Sequence, residues 1–528
     1  MSKTSRYSWR HLSAELQRRR VYPVIAAYAV VAFILLQIGE ITFAPLGLPN
    51  WAMVTLIAVA IAGFPVVIVV AWIFDITPAG VRRTRSLVQE EDRPSIAVLP
   101  FVDMSPDKDQ GYFCEGVAEE ILNALTKIPQ LSVAARSSSF QYSAGSGDVR
   151  RIGDELGVRA ILEGSVRKSE NRIRVTAQLV KSSDGYHLWS KTYDEELKDV
   201  FAIQDEIATN IANALLETLK PRERVSIQTT STTDVSAYEY YLRGRQFFKR
   251  FRKKDIEYAM LMFREAINID PEFALAWAGY ADCHSFMVMY VDPRPDCRGE
   301  ASEASKRALE LNPNLAEARA SRGLACLVCE EFDDAETEFR IAIDLNPNLF
   351  EAYYYYARTQ FHQGDMEAAA RLFAKAAEVD PADYQSRCLR AQILRGEGRL
   401  EEAKKEAQEA IIVVEKHVKW HPDDARAFYL GAGSLVVLGD IERAKRWLHR
   451  ATEIAPEDSI VLYNVACNLA TLGEKDKALE YLERAAEQGA VSAAWMRNDE
   501  DLASLREDRR YKALLARLDD DTAQGDTE

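Results

Sequence analysis

The sequence predicts a multi-domain protein: a two-helix transmembrane hairpin, then a small α+β domain, then an all-α solenoid of repeated helix pairs. Three observations predict this fold class. Two long apolar stretches lie within residues 21–75, and apolar residues alternate along residues 173–179, as in a half-buried strand. In the second half, prolines recur at a spacing of 34 residues, at 313, 347 and 381 and again at 422 and 456. A chain of 528 residues has room for several such domains.

The overall composition indicates which partners, which redox compartment and which metal sites can be expected. A formal net charge of −15 argues against a nucleic-acid partner, because phosphate neutralisation needs a basic surface. The seven cysteines form no regular framework, which favours a reducing compartment. Cys326 and Cys329 form a lone CxxC without a second pair at metal-ligand spacing, so buried helix thiols are expected. No metal site and no cofactor is predicted.

The hairpin prediction rests on "VYPVIAAYAVVAFILLQIGEITFA" (21–44) and "WAMVTLIAVAIAGFPVVIVVAWIF" (51–74). Each is long enough to cross a bilayer, which takes roughly 20 apolar residues. A secretory signal peptide is the alternative for the first stretch, but the run is too long and a second span follows. Basic residues flank both ends, in a tail over 1–20 and a linker over 76–93, whereas the turn "PLGLPN" has none.

These flanks predict a multi-pass protein of the bacterial inner membrane, in contact with lipid through 21–75, with both termini and the folded domains in the cytoplasm. The opening also resembles the membrane module found at the front of many bacterial proteins that end in tetratricopeptide repeats.

Residues 94–220 alternate strand-like and helix-like segments in the order β-α-β-α-β-β-β-α. This order indicates a compact α+β domain with a mixed or largely antiparallel sheet. The segments "IAVLPF", "ELGVRAILEGSVRK", "RIRVTAQLVKSSDGYHLWSKTYD" and "DVFAIQDEIA" resemble the TolB-like domain. In bacteria such a domain commonly precedes tetratricopeptide repeats, sometimes behind a nucleotide cyclase or a winged-helix DNA-binding domain. Neither is expected here, because only the hairpin precedes it.

No catalytic set stands out in this domain. Glu115, Glu119 and Glu120 in "EGVAEE" are explained as acids in the first turn of a helix, which the helix dipole favours. His187 lies on a predicted strand beside aromatic residues and is more often a packing or surface residue than a base. The loop "SAGSGD" lacks the spacing of a phosphate-binding loop. The chain is therefore predicted not to be an enzyme.

The proline spacing marks a 34-residue helix–turn–helix unit. Counting from the start of each unit, small residues hold places 8, 20 and 27, a large apolar residue holds place 24, and glycine holds place 15 between the helices in the four units that carry Gly364, Gly398, Gly439 and Gly473. Small side chains let the helices approach closely, and the large residue fills the space between units. The pattern resembles the tetratricopeptide repeat. It predicts seven units over 237–492 after a linker over 221–236, then a capping helix over 493–518 and an acidic tail over 519–528.

In such a solenoid the first helix of each unit lines the concave face at places 2, 5, 9 and 12. There the sequence offers aromatic, arginine and glutamine side chains, and aromatic residues and arginine commonly anchor interfaces. The predicted partner-binding residues are Tyr354, Arg358, Phe361, Gln392, Arg395, Arg426 and Tyr429. The predicted function is a non-catalytic, membrane-anchored scaffold or adaptor for protein or peptide partners, in signalling or complex assembly. The alternative is a nucleotide or small-ligand sensor in the TolB-like domain, with the repeats as its output arm.

Overall fold

The structure, a computed structural model, divides the chain into two compact units, Met1–Arg93 and Pro94–Glu528. It describes scattered residues between 28 and 83 and then residues 94–525, except for 129, 143–147, 170, 217–231, 233, 251, 291–294 and 489–492.

The described residues of the first unit do not form the predicted transmembrane hairpin. More than half of residues 21–75 lies outside the described residues, and the helical stretches that are described there, such as 35–42 and 53–58, are short. None of the helices in the described part of the chain combines the length and the apolar character that crossing a bilayer requires. Just beyond, strands β1 (Phe74–Thr77) and β2 (Gly80–Arg83) pair in antiparallel register. The predicted fold class is therefore wrong in its hairpin.

The described part of the second unit begins with a six-stranded mixed sheet. Its strands are β3 (Ser95–Val98), β4 (Val102–Asp103), β5 (Ser132–Val133), β6 (Ala160–Ser169), β7 (Arg172–Lys181) and β8 (His187–Glu196). The spatial order is β5-β3-β6-β7-β8, with β4 also paired to β6. Strands β3, β4 and β5 run parallel to their neighbours, while β6, β7 and β8 form an antiparallel meander.

Helices cover both faces of this sheet, because β3 is apolar on both sides. They are α1 (Gly111–Thr126), α2 (Arg136–Ser139), α3 (Val149–Leu156) and α4 (Val200–Leu215), with a 3-10 turn at Leu197–Asp199. Ile96 and Val98 belong to the core that contains α1 and α4, whereas Ala97 and Leu99 pack with Ile152 of α3. Alternation along β3 therefore supplies two separate cores.

Within the described residues, seven antiparallel helix pairs follow, named pair 1 to pair 7. Their helices are Val235–Phe248 and Lys253–Ile269; Ala274–Tyr290 and Pro295–Leu311; Ala316–Val328 and Phe332–Leu345; Phe350–Gln363 and Met366–Val379; Tyr384–Gly396 and Leu400–Trp420; Ala425–Leu438 and Ile441–Ile454; and Ser459–Thr471 and Lys475–Glu487. Helix Ala493–Asn498, a 3-10 segment at Glu500–Leu505 and helix Arg509–Gly525 complete the array. The last helix thus continues into the predicted acidic tail.

The chemistry of each pair follows the repeat pattern. The four glycines at place 15 have positive φ angles, between +72° and +83°, which L side chains rarely adopt. In pair 3, Gly323 at place 8 lies so close to Phe339 that an added Cβ would come within 2.7 Å of the ring. Small residues at these places therefore let the large one at place 24 fill the space between the two helices.

Candidate functional site

The concave face of the helix pairs carries the seven predicted partner-binding residues, and they differ in exposure. Tyr354 and Tyr429 are buried. Phe361 is 45% exposed, Gln392 is exposed, and the three arginines are half-buried. Most of these side chains already contact other parts of the chain, in two groups.

The first group meets at a tyrosine that the sequence did not single out. Arg358 donates through Nη1 to the Tyr290 hydroxyl oxygen at 2.8 Å, and Arg426 donates through Nη2 to the same oxygen at 3.2 Å. Arg426 also donates to the Tyr354 hydroxyl oxygen at 3.2 Å. We call these four residues the arginine–tyrosine cluster. Pairs 2, 4 and 6 therefore meet across the concave face.

Electrostatics in the arginine–tyrosine cluster are unusual. Burial alone would raise the pKa of the Tyr290 phenol, but the guanidinium groups of Arg358 and Arg426 outweigh burial and lower that pKa to about 8. The cluster is therefore a region of positive potential. Tyr290 ends the first helix of pair 2, beyond place 12, and pair 2 is one of the two units lengthened relative to the 34-residue spacing. That insertion was the sequence signal that could have pointed to it.

The second group holds a carboxylate from the segment that follows pair 7. Gln392 donates through Nε2 to Asp501 at 2.6 Å, and Arg395 donates through Nη2 to the other oxygen of Asp501 at 2.5 Å. Asp501 lies in the 3-10 segment Glu500–Leu505. The concave face at pair 5 thus already binds an acidic side chain of its own chain.

Pairs 1 to 3 hold a larger internal ligand, helix α1 of the sheet domain. The concave places of these pairs include Tyr241, Arg245, Leu275 and Glu317, which line a small crevice together with residues of α1. Glu119 of α1 is 8% exposed. Its carboxylate accepts hydrogen bonds from Arg245 at 2.8 Å and Arg136 at 2.9 Å, and it also contacts Lys249.

The charge of Glu119 is stable because three cations surround it. Burial opposes ionisation, but Lys249, Arg136 and Arg245 hold the pKa of this carboxyl well below its ordinary value. Its neighbour Glu120 is less well compensated: burial and the negative charge of Glu119 raise its pKa to about 7. The helix dipole does not explain these acids, because α1 begins at Gly111 and has no acidic residue in its first turn.

The sheet domain also contacts the turns between later pairs. Asn348, before pair 4, donates to the Thr126 carbonyl oxygen at 3.2 Å, and Ser137 hydrogen-bonds with Asp380, before pair 5. Within the described residues no group of three or more His, Cys, Asp or Glu side chains is arranged to hold a metal ion. The concave face is therefore partly filled by other segments of the same chain.

Comparison with known proteins defines the class. Residues 330–384 and 460–488 match family models described as tetratricopeptide repeat. These segments fall in pairs 3 to 4 and in pair 7, where the helix pairs follow the 34-residue pattern. The chain therefore contains tetratricopeptide repeats.

Two curated relatives share part of the chain. Putative adenylate cyclase 3 of Rhizobium meliloti (strain 1021) is 37% identical over 246 residues, covering 46% of this chain and 42% of the relative. The transcriptional regulator HilA of Salmonella typhimurium is 22% identical over 290 residues, covering 54% of this chain and 51% of the relative. The chain thus spans about half the length of the curated relatives it matches.

Two solved structures are similar at low TM-scores. MamA is 21% identical over 35% of this chain and 95% of its own, with a TM-score of 0.26. YrrB, described as a TPR protein with an unusual peptide-binding site, is 22% identical over 38% of this chain and 95% of its own, with a TM-score of 0.25.

Proposed function

We propose that this protein is a non-catalytic scaffold or adaptor that binds a protein or peptide partner on the concave face of pairs 4 to 6. One observation carries the proposal: the same face in pairs 1 to 3 already holds a helix, α1, through places 2, 5 and 9 of the repeat. A surface of the same construction continues into pairs 4 to 6, where Phe361 is 45% exposed and Arg358 lies three residues before it on the same helix.

In this proposal the sheet domain is TolB-like and acts as a fixed part of the scaffold. Its order of strands and helices supports the resemblance, and its core is continuous with that of pairs 1 and 2. A scaffold of this kind brings partners together by raising their effective concentration, without chemistry of its own.

Site-specific photocrosslinking tests the proposal. Phe361 is replaced by p-benzoylphenylalanine, and the full-length protein is irradiated in living cells and purified under denaturing conditions. We expect a discrete adduct at position 361. The control carries the same photoreactive residue in place of Ile412, which is 67% exposed on the second helix of pair 5.

A double charge reversal completes the test. Arg358→Glu with Arg426→Glu should remove the adduct at position 361 while the far-ultraviolet circular dichroism of the protein stays unchanged. Equal adducts at positions 361 and 412, or an adduct at 361 that survives the double reversal in a folded protein, would refute binding on this face.

A further inference from the structure

Two arginines on the concave face already bind carboxylates from other parts of the same chain. Arg245 of pair 1 holds Glu119, and Arg395 of pair 5 holds Asp501. Both acids come from segments outside the seven helix pairs, so each behaves as an internal ligand of the concave face. Arginine suits this role because its planar fork of N–H donors matches a carboxylate.

Arg358, in pair 4, and Arg426, in pair 6, differ from these two arginines. Among the described residues, neither has a carboxylate oxygen within the 4.0 Å of an ion pair; they end instead on the phenol oxygens of Tyr290 and Tyr354. The Nε of Arg426 is buried and has no hydrogen-bond partner within the part of the chain that the structure describes. The two positively charged guanidinium groups therefore donate to neutral phenol oxygens and not to a carboxylate.

One candidate for a counter-charge already accepts other hydrogen bonds. Asp383 is close enough to Arg426 for the two charges to interact, but both of its oxygens accept from backbone N–H groups, of Gln385 at 3.2 Å and Ser386 at 2.7 Å. It caps the first helix of pair 5 and is itself buried. The N–H groups of Arg358 and Arg426 can therefore still donate hydrogen bonds to an anion.

Resting on the proposed function, we propose that Arg358 and Arg426 receive the carboxylate of an aspartate or glutamate side chain of the bound partner. Their N–H groups donate to the carboxylate in place of the phenol oxygens, which compete with the ligand for the same donors. The partner is accordingly an acidic polypeptide segment that follows the groove from Arg358 toward Arg395.

Long-range attraction does not assist this partner. The chain has a formal net charge of −15, so an acidic segment gains no general steering toward it. Selectivity comes from short-range contacts in the groove, which salt screens less than it screens surface charges when the groups are partly buried.

Fluorescence anisotropy with the full-length protein and two probes tests the proposal. The probes are fluorescein-labelled hexaglutamate and hexalysine. We expect hexaglutamate to bind and hexalysine not to bind. Arg358→Gln and Arg426→Gln should each weaken hexaglutamate binding by about tenfold, since each removes one charge-assisted pair of hydrogen bonds. Arg399→Gln is the matched control, because Arg399 pairs with Glu402 on the exposed surface, and should leave binding unchanged.

Tyr290→Phe gives a test that does not depend on losing a charge. It removes the phenol oxygen that competes for both guanidinium groups, so hexaglutamate should bind at least as tightly as to the unaltered protein; a merely structural Tyr290 would give weaker binding. Unchanged affinity in both arginine variants, equal binding of hexalysine, or weaker binding in Tyr290→Phe overturns the proposal. Displacement of hexaglutamate by millimolar inorganic phosphate would assign the cluster to a phosphoryl group instead.

The two proposals fail separately. An adduct at position 361 that depends on the groove arginines, without hexaglutamate binding, leaves the scaffold function in place and removes the acidic specificity. Absence of both removes both.

Discussion

Glu119 of the sheet domain accepts a hydrogen bond from Arg245 of pair 1 at 2.8 Å, although 126 residues separate them in sequence. The contact lies in one continuous core that extends from the sheet through pairs 1 and 2. Gly116 allows this approach, because an added Cβ would come within 2.4 Å of a Leu242 methyl group. The sheet domain therefore closes the open end of the solenoid, as a capping element must.

Replacing Glu119 by alanine should be strongly destabilising. Three half-buried basic side chains would lose their shared, buried counter-charge, and removing one partner of a buried ion pair costs about 3–5 kcal/mol. We expect the urea midpoint of the sheet domain and pairs 1 and 2 to fall together, monitored by circular dichroism on the intact protein.

Glu115→Ala is the matched control on the same helix. Glu115 contacts only one of these cations, Arg136 at 3.3 Å, and its side chain is 43% exposed. Such a pair contributes roughly 1 kcal/mol or less. Equal losses in the two variants would contradict a special role for Glu119.

Glu120→Gln should stabilise the protein in a pH-dependent way. Burial and the charge of Glu119 raise the pKa of Glu120 to about 7, above the 4.5 of the free group, so the folded state binds its proton more tightly than the unfolded state does. The contribution of Glu120 to the free energy of unfolding is fully present below its pKa in the unfolded state. It is lost as the pH rises through 7, the pKa in the folded state. Glutamine mimics the protonated form at every pH.

The advantage of Glu120→Gln should therefore grow from pH 5 to pH 8, where it amounts to roughly 1–3 kcal/mol. Urea denaturation of both proteins at the two pH values measures it. A constant difference between the variants across this range would show that Glu120 titrates normally.

The repeat array could be predicted from the sequence because its determinants are local. Spacing, small side chains and glycine at place 15 each act within one helix pair or between neighbours, and the positive φ of Gly364 and Gly439 confirms the predicted turn chemistry. The sheet domain is similar: alternation over 173–179 becomes strand β7, with Ile173, Val175, Ala177 and Leu179 buried.

What fills the groove could not be predicted, because periodicity carries no information about contacts such as Arg395 with Asp501, 106 residues apart. The rule that places 2, 5, 9 and 12 line the concave face, applied to pairs 1 to 3, would have selected Tyr241 and Arg245. It could not have shown that helix α1 contacts them. The hairpin prediction was wrong for a different reason. Apolar composition measures hydropathy along a stretch, whereas none of the helices in the described residues is long and apolar enough to cross a bilayer.

Close packing within a pair predicts the effect of Gly323→Ala. The added methyl would meet the Phe339 ring at 2.7 Å, so the protein should lose roughly 1–3 kcal/mol of stability through overpacking. Gly396→Ala is the control, because nothing lies within 4 Å of its added Cβ and it ends a helix. That change should be neutral or slightly stabilising. A neutral Gly323→Ala, measured by urea denaturation, would refute the steric account of place 8.

Titration of Tyr290 should be visible directly. With its pKa lowered to about 8, this phenol should ionise between pH 7 and pH 9, seen as a rise in absorbance near 295 nm. Each arginine stabilises the phenolate, so Arg358→Gln or Arg426→Gln should move the step to higher pH, whereas Arg399→Gln should not. A step that persists in Tyr290→Phe would assign the ionisation to another tyrosine.

Glu330→Gly should stabilise the protein. Glu330 occupies place 15 of pair 3, where other pairs have glycine, and adopts a φ of +64°, which costs a side chain about 1–2 kcal/mol. Its ion pair with Arg298, at 3.8 Å and largely exposed, offsets little of this. Glycine itself costs entropy on folding, so the net gain is roughly 0.5–1 kcal/mol.

The reciprocal control is Gly364→Ala, which should lose a similar amount because nothing but the backbone angle opposes the added Cβ. If urea denaturation found Glu330→Gly destabilising and Gly364→Ala neutral, the turn between the helices would not set the conformation at place 15.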